Sequence, residues 1–167
     1  MSKFSIIKIA NLGRIVTGRT PPSSIPQYFG GEIPFLTPTD MTDGSRYASA
    51  KRFLSISGAE LLERLVIPPD SVCCVCIASI GLTCLTNSMT VTNQQINSIV
   101  VNTDSFDPRF VYYKMRTLGN TLKARASGVA QPVRNIKRTA RPRRDFNRAA
   151  LGRSMKGSDW KSRVWVA

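Results

Sequence analysis

Cys73, Cys74, Cys76 and Cys84 are the residues whose type and spacing come nearest to site chemistry. A Cys-x-x-Cys pair such as Cys73/Cys76 can ligate zinc or cycle as a dithiol. Here the pair lies inside Val72-Cys73-Cys74-Val75-Cys76-Ile77, a continuous apolar run that reads as a buried strand. Side chains alternate along a strand, so positions 73 and 76 point to opposite faces and cannot share an ion without a turn between them. With no histidine in the chain, a zinc site needs all four thiols. The cysteines therefore read as small buried hydrophobes in a reducing compartment, with metal or redox use as the alternative. The same lack of histidine removes the commonest general base and triad member. No metal, cofactor or catalytic residue is expected.

The elements around that strand are short. Residues 4–9 read as a first strand, and Gly18-Arg19-Thr20-Pro21-Pro22-Ser23-Ser24 as a loop that two prolines stiffen. Tyr28-Phe29-Gly30-Gly31 reads as a turn, and Ile33-Pro34-Phe35-Leu36 as a strand whose proline suggests an edge or first position. Thr37-Pro38-Thr39-Asp40 leaves it as a polar loop. Ser57 with Glu60 has the form of a capping box opening a short helix, stopped by Pro68-Pro69. Strand-like runs follow at 72–77, 82–86 and 95–101. Asp107-Pro108 looks like an N-cap and first position of a helix reaching about Gly119, with Phe110, Val111, Met115 and Leu118 on one face. Many short strands with few helices predict an α/β (α+β) domain on a twisted, mostly antiparallel sheet.

Charge separates the chain into two kinds of sequence. The net of +14 is unevenly spread: residues 1–133 hold 13 Lys/Arg against 8 Asp/Glu, residues 134–167 hold 11 against 2. The first part is moderately basic and compatible with a polyanionic partner. The second has few aliphatics and no consistent periodicity, and is expected to be a disordered or aberrant tail. No run approaches the ~18 apolar residues of a membrane helix, and the N-terminus lacks a signal-peptide pattern. The expected setting is cytoplasmic, without a membrane partner.

A series of short motifs then narrows the class. Leu12-Gly13, Thr17-Gly18-Arg19-Thr20-Pro21-Pro22, Tyr28-Phe29-Gly30-Gly31, Ile33-Pro34-Phe35-Leu36-Thr37-Pro38-Thr39-Asp40, Ile67-Pro68-Pro69-Asp70-Ser71-Val72, Cys76-Ile77, Ile80-Gly81 and Thr92-Asn93-Gln94-Gln95-Ile96-Asn97 occur in this order. Together they resemble the target-recognition domain of type I restriction–modification specificity subunits, over about residues 4–133. The resemblance implies an α/β unit that reads one half of a bipartite double-stranded DNA target. It carries no catalysis; methylation (M) and restriction (R) subunits are the implied partners. A full subunit of that family has two such domains joined by long helices. Here the pattern past Gln131-Pro132 gives way to Arg134-Asn135-Ile136-Lys137-Arg138-Thr139, which suggests an altered end and leaves self-association open.

Within that reading, Arg19 and Thr20 offer a cation and a hydroxyl for phosphate or guanine, or a solvated loop. Thr37, Thr39 and Asp40 offer hydroxyls and a carboxylate, with turn capping the better reading of each. Asn93, Gln94 and Gln95 suit adenine, which an amide can bond bidentately, or they anchor neighbouring backbone. Arg46, Lys51, Arg52, Arg116, Lys123 and Arg125 are phosphate-contact candidates. Two other functions compete: a specificity fragment acting as an interaction scaffold without selective reading, and, remotely, a small enzyme using the cysteines.

Overall fold

The computed structural model describes residues 7–77 and 79–126, with side chains described as far as Gly119. Among the described residues, seven strands and two α-helices are laid out as β1 (Gly13–Thr17), β2 (Phe29–Leu36), β3 (Arg52–Leu54), α1 (Ile56–Leu61), β4 (Val72–Val75), β5 (Thr83–Leu85), β6 (Val91–Thr92), β7 (Ile96–Val101) and α2 (Pro108–Ala126). One sheet has the order β1-β7-β4-β5 and is antiparallel throughout. The other, β3-β2-β6, joins an antiparallel pair to a short parallel one. The mixed, mostly antiparallel class read from the sequence is the class observed.

Strand alternation divides the core. On β4, Val72 and Cys74 face α2 and meet Val111, Tyr112 and Met115, while Cys73 and Val75 face the other way toward Val16, Leu36 and Ile96. A third cluster, built on Phe35, Leu54, Leu62 and Val91, lies between the smaller sheet and α1. Fully burying each of these large side chains contributes ~1.5–3 kcal/mol. β4 is buried on both faces, which is why its sequence is a continuous apolar run rather than an alternating one.

Several boundaries differ from the expected ones. The first strand begins at Gly13, after a 3-10 turn at Ile9–Asn11, and not within residues 4–9, of which only 7–9 are described. A Cβ on Gly13 would lie 2.0 Å from the Val100 carbonyl oxygen, so the bare backbone is what lets β1 close on β7. The expected turn at residues 28–31 is a β-bulge inside β2: Gly30 takes φ +82°, and the register against β3 shifts between Phe29 and Ile33. Pro34 stands on the central strand of its sheet, not on an edge; β6 pairs with β2 only from Phe35 onward, past the missing N–H. The helix cap is Ser55 rather than Ser57, its Oγ accepting from Gly58 N at 3.1 Å. Gly58 lies against the Tyr28 carbonyl, where a Cβ would come within 2.2 Å, and this contact fixes the helix start.

The last helix runs to Ala126 and buries Val111, Tyr112, Met115 and Gly119. Phe110 and Leu118 are exposed instead of sharing that face. Gly119 does not end the helix. It meets Gly81 of the β4–β5 connection backbone to backbone: a Cβ on either glycine would lie under 3.0 Å from the other's carbonyl oxygen.

Candidate nucleic-acid interface

β2 and β6 run parallel, so both end at the same edge, and the segments that follow them are brought side by side. Asn93 N donates to Leu36 O at 2.9 Å, tying the 93–95 turn to the start of the 37–40 turn. Arg19 N donates to Thr92 O at 2.9 Å and Gly18 N to Ile96 O at 3.2 Å, which lays the loop after β1 on the same turn. Cys76 N donates to Gln95 O at 2.9 Å, adding the end of β4. Three chain segments far apart in sequence thus converge on one turn.

Asp40 closes the 37–40 turn. Its buried carboxylate accepts from Thr37 N (2.8 Å), Thr37 Oγ1 (2.7 Å) and Lys51 N (3.2 Å). Thr37 spends its only hydroxyl proton on Asp40, so in the 2.9 Å contact between Thr37 and Thr39 the donor is Thr39. Asp40 and Thr37 therefore act as caps, and Thr39 is the exposed hydroxyl of the turn. Asn93 is buried and closes on Gln95, accepting from Gln95 N at 3.1 Å and donating Nδ2 to Gln95 Oε1 at 3.0 Å. Gln94 is left exposed at the tip, where Thr20 Oγ1 donates to its Oε1 at 2.8 Å.

Arg19 is exposed on the same edge, as are Lys51, which follows the Asp40 contact, and Arg52, whose guanidinium lies 5.2 Å from the Phe35 ring centroid. Arg46 stands apart. It donates to the Tyr113 hydroxyl at 2.9 Å and lies 5.7 Å from that ring, and this hydrogen bond holds its pKa above the ordinary arginine value. Arg116, also on α2, pairs with Asp43 at 3.3 Å. Lys123 and Arg125 are on α2 beyond Gly119, and their side chains lie outside the described residues. The tail from residue 134 lies outside them too.

Sequence reasoning missed Asn97. Buried at the start of β7, it accepts from Thr17 Oγ1 at 2.7 Å and donates to Cys76 Sγ at 3.1 Å, joining β1, β4 and β7 where the loops depart. The signal was present in the amide-rich run, but nothing in a sequence says which amide meets which strand.

The four thiols are all buried and none is in a disulfide. Burial pushes the Cys74 thiol well above its ordinary pKa. Cys84, held by a hydrogen bond with Cys73 and by burial, is also pushed up. A raised pKa keeps Cys74 and Cys84 in the protonated, unreactive form at neutral pH. The same hydrogen bond with Cys84 lowers the pKa of Cys73, which is shielded by its complete burial instead, as Cys76 is by its own. Among the described residues no three His, Cys, Asp or Glu side chains are placed to hold a metal ion. We expect no thiol to react with a small aromatic disulfide reagent in the folded chain at about pH 8, and all four to react after denaturation; fast labelling of any one before unfolding contradicts the burial described.

The domain family described as the type I restriction modification DNA specificity domain matches residues 1–139. The chain belongs to that family. Among relatives of this specificity domain, the HindI specificity subunit of Haemophilus influenzae is 35% identical over 122 residues, covering 72% of this chain and 26% of the relative. The MjaIX specificity subunit of Methanocaldococcus jannaschii is 26% identical over 133 residues, covering 77% of this chain and 31% of the relative. The chain thus spans between a quarter and a third of the length of these relatives. Two solved structures share the fold. One, described as the structural basis of complex assembly and conformational transition of the type I R-M system, aligns with a TM-score of 0.57 at 20% identity, covering 70% of this chain and 28% of that one. The other, the HsdS subunit of Thermoanaerobacter tengcongensis, aligns at 0.55 and 18% identity, covering 80% and 34%. No helix among the described residues of the specificity domain is long and apolar enough to cross a membrane.

Proposed function

We propose that this specificity domain reads one half of a bipartite DNA target and carries no catalytic step itself. The observation that supports the reading is the convergence of the 18–20, 37–40 and 93–95 segments on one edge. Arg19, Thr20, Thr39, Lys51, Arg52 and Gln94 there offer cations for phosphate and neutral polar groups for base edges. Methylation and restriction subunits of the same system are the proposed partners, and the cytoplasm the proposed compartment.

The test is competition between a duplex selected from a random pool and a scrambled duplex, across a salt series. Selective binding that survives moderate salt supports the reading, and equal affinity for both duplexes at every salt concentration defeats it. Arg19, with its guanidinium on the exposed loop, is assigned to phosphate. Arg19→Ala is expected to weaken both duplexes about equally and to reduce the log–log salt slope by about 0.9. A change in base preference with the slope intact contradicts that assignment.

A second reading, an interaction scaffold without selective reading, draws support from the exposed Phe110, Tyr113 and Leu118 along α2. Co-purification with a methylation subunit in the absence of any DNA selectivity favours it.

A further inference from the structure

Of the amides in the 93–95 turn, Asn93 and Gln95 are closed on each other, and Gln94 is the exposed one at the tip. An unrestrained glutamine suits adenine because it presents an acceptor to N6 and a donor to N7 together. Gln94 is restrained: Thr20 donates to Oε1 at 2.8 Å, which occupies one of its two lone pairs and turns that oxygen toward the loop, leaving the two N–H groups of Nε2 as the outward end of the amide. An amide that presents its donors outward fits best an edge that carries acceptors. In the major groove guanine alone offers two, N7 and O6, whereas adenine N6 and cytosine N4 would meet the amide donor to donor. Thymine offers the single acceptor O4 beside its methyl group.

We infer that Gln94 is a specificity-determining residue, oriented by Thr20 to donate to a guanine in the major groove. The inference rests on the DNA-reading function proposed above and adds the base. It also reverses the adenine preference that the residue type alone suggests. Thr20 is the positioning residue of the pair: it touches Gln94, and Gln94 touches the base.

The experiment is selection of bound sequences from a random duplex pool by the full chain, Thr20→Val and Gln94→Ala, with thermal midpoints measured in parallel. The wild-type chain is expected to enrich guanine at one position. Gln94→Ala loses the preference there and keeps it elsewhere. Thr20→Val, which frees Oε1, moves the same position toward adenine. Replacing that guanine by 7-deazaguanine, which lacks the N7 acceptor, lowers wild-type affinity ~5- to 20-fold and leaves Gln94→Ala unchanged. Guanine enrichment that persists in Gln94→Ala overturns the inference while leaving the DNA-reading function standing. Loss of the preference in Gln94→Ala without a shift in Thr20→Val overturns the role of Thr20. A wild-type chain that enriches no sequence sinks both the inference and the function beneath it.

Discussion

Replacing Gly18 by alanine is expected to destabilise the chain by ~2–4 kcal/mol and to abolish selective DNA binding. The added Cβ would lie 2.2 Å from Thr92 O and 2.3 Å from both Asn93 O and Thr92 Oγ1. Two of these atoms are backbone in the turn on which the loops converge, so the strain cannot be relieved by turning a flexible side chain. Either the loop after β1 lifts away and loses the Arg19 N to Thr92 O hydrogen bond, or the 93–95 turn moves and loses its bond to Leu36. Both outcomes displace Arg19, Thr20 and Gln94 relative to one another. A denaturant midpoint and a pool selection check this together. A Gly18→Ala chain with wild-type midpoint and wild-type enrichment would show that the close packing is not real. Thr92 Oγ1 is already buried without a hydrogen-bond partner, which leaves this contact no slack on the polar side either.

Asp40→Ala comes second, with an expected cost of ~2–3 kcal/mol. The substitution removes the acceptor of two backbone N–H groups, Thr37 and Lys51, and of the Thr37 hydroxyl, in a turn that is mostly shielded from water. Unpaired buried donors cost more than the average net value of the bonds they lose, which puts this change above an ordinary surface substitution. Asp40→Asn keeps the shape but turns one acceptor oxygen into a donor facing donors, and should fall between wild type and alanine. Hydrogen exchange at the Thr37 and Lys51 amides gives a local readout. Unchanged protection there in Asp40→Ala is the result that rejects the capping role.

The fold class was legible because it rests on local rules: short β-rich runs, punctuating prolines and glycines, and an Asp-Pro helix start. Asp107 does cap α2, its Oδ1 accepting from Arg109 N and Phe110 N. Boundaries were less legible wherever a distant contact overrode the local preference. Ser57-x-x-Glu60 satisfies the capping-box pattern, yet the Gly58–Tyr28 contact moves the cap to Ser55. Phe110 and Leu118 share a helical period with the core, yet Tyr112 fills the place opposite β4. Pro34 carries an edge signature, and only the late start of β6 makes a central position tolerable.

The site was legible as a set of loops and residue types, not as an arrangement. Thr92-Asn93-Gln94-Gln95 announces hydrogen-bonding capacity, but the division of labour among the amides depends on partners more than seventy positions away, as for Gln94 and Thr20. Arg46 illustrates the opposite case. Its charge suggested a phosphate contact, and nothing in the sequence announces the tyrosine on α2 that the fold sets beside it.

The Gly81–Gly119 contact has a consequence for how α2 can change. Packing against β4 and β5 fixes the helix at Val111, Tyr112 and Met115, and the two glycines fix it again about one turn later. Between those points the helix behaves as a keyed shaft. One residue inserted between Met115 and Gly119 would rotate everything beyond by ~100° and advance it by ~1.5 Å. Seven helical residues follow Gly119, Lys123 and Arg125 among them, so their heading along the helix is set by counting residues from the sheet. Length changes in this stretch should therefore be far less tolerable than substitutions, and the pair of glycines would act as the indexing pin.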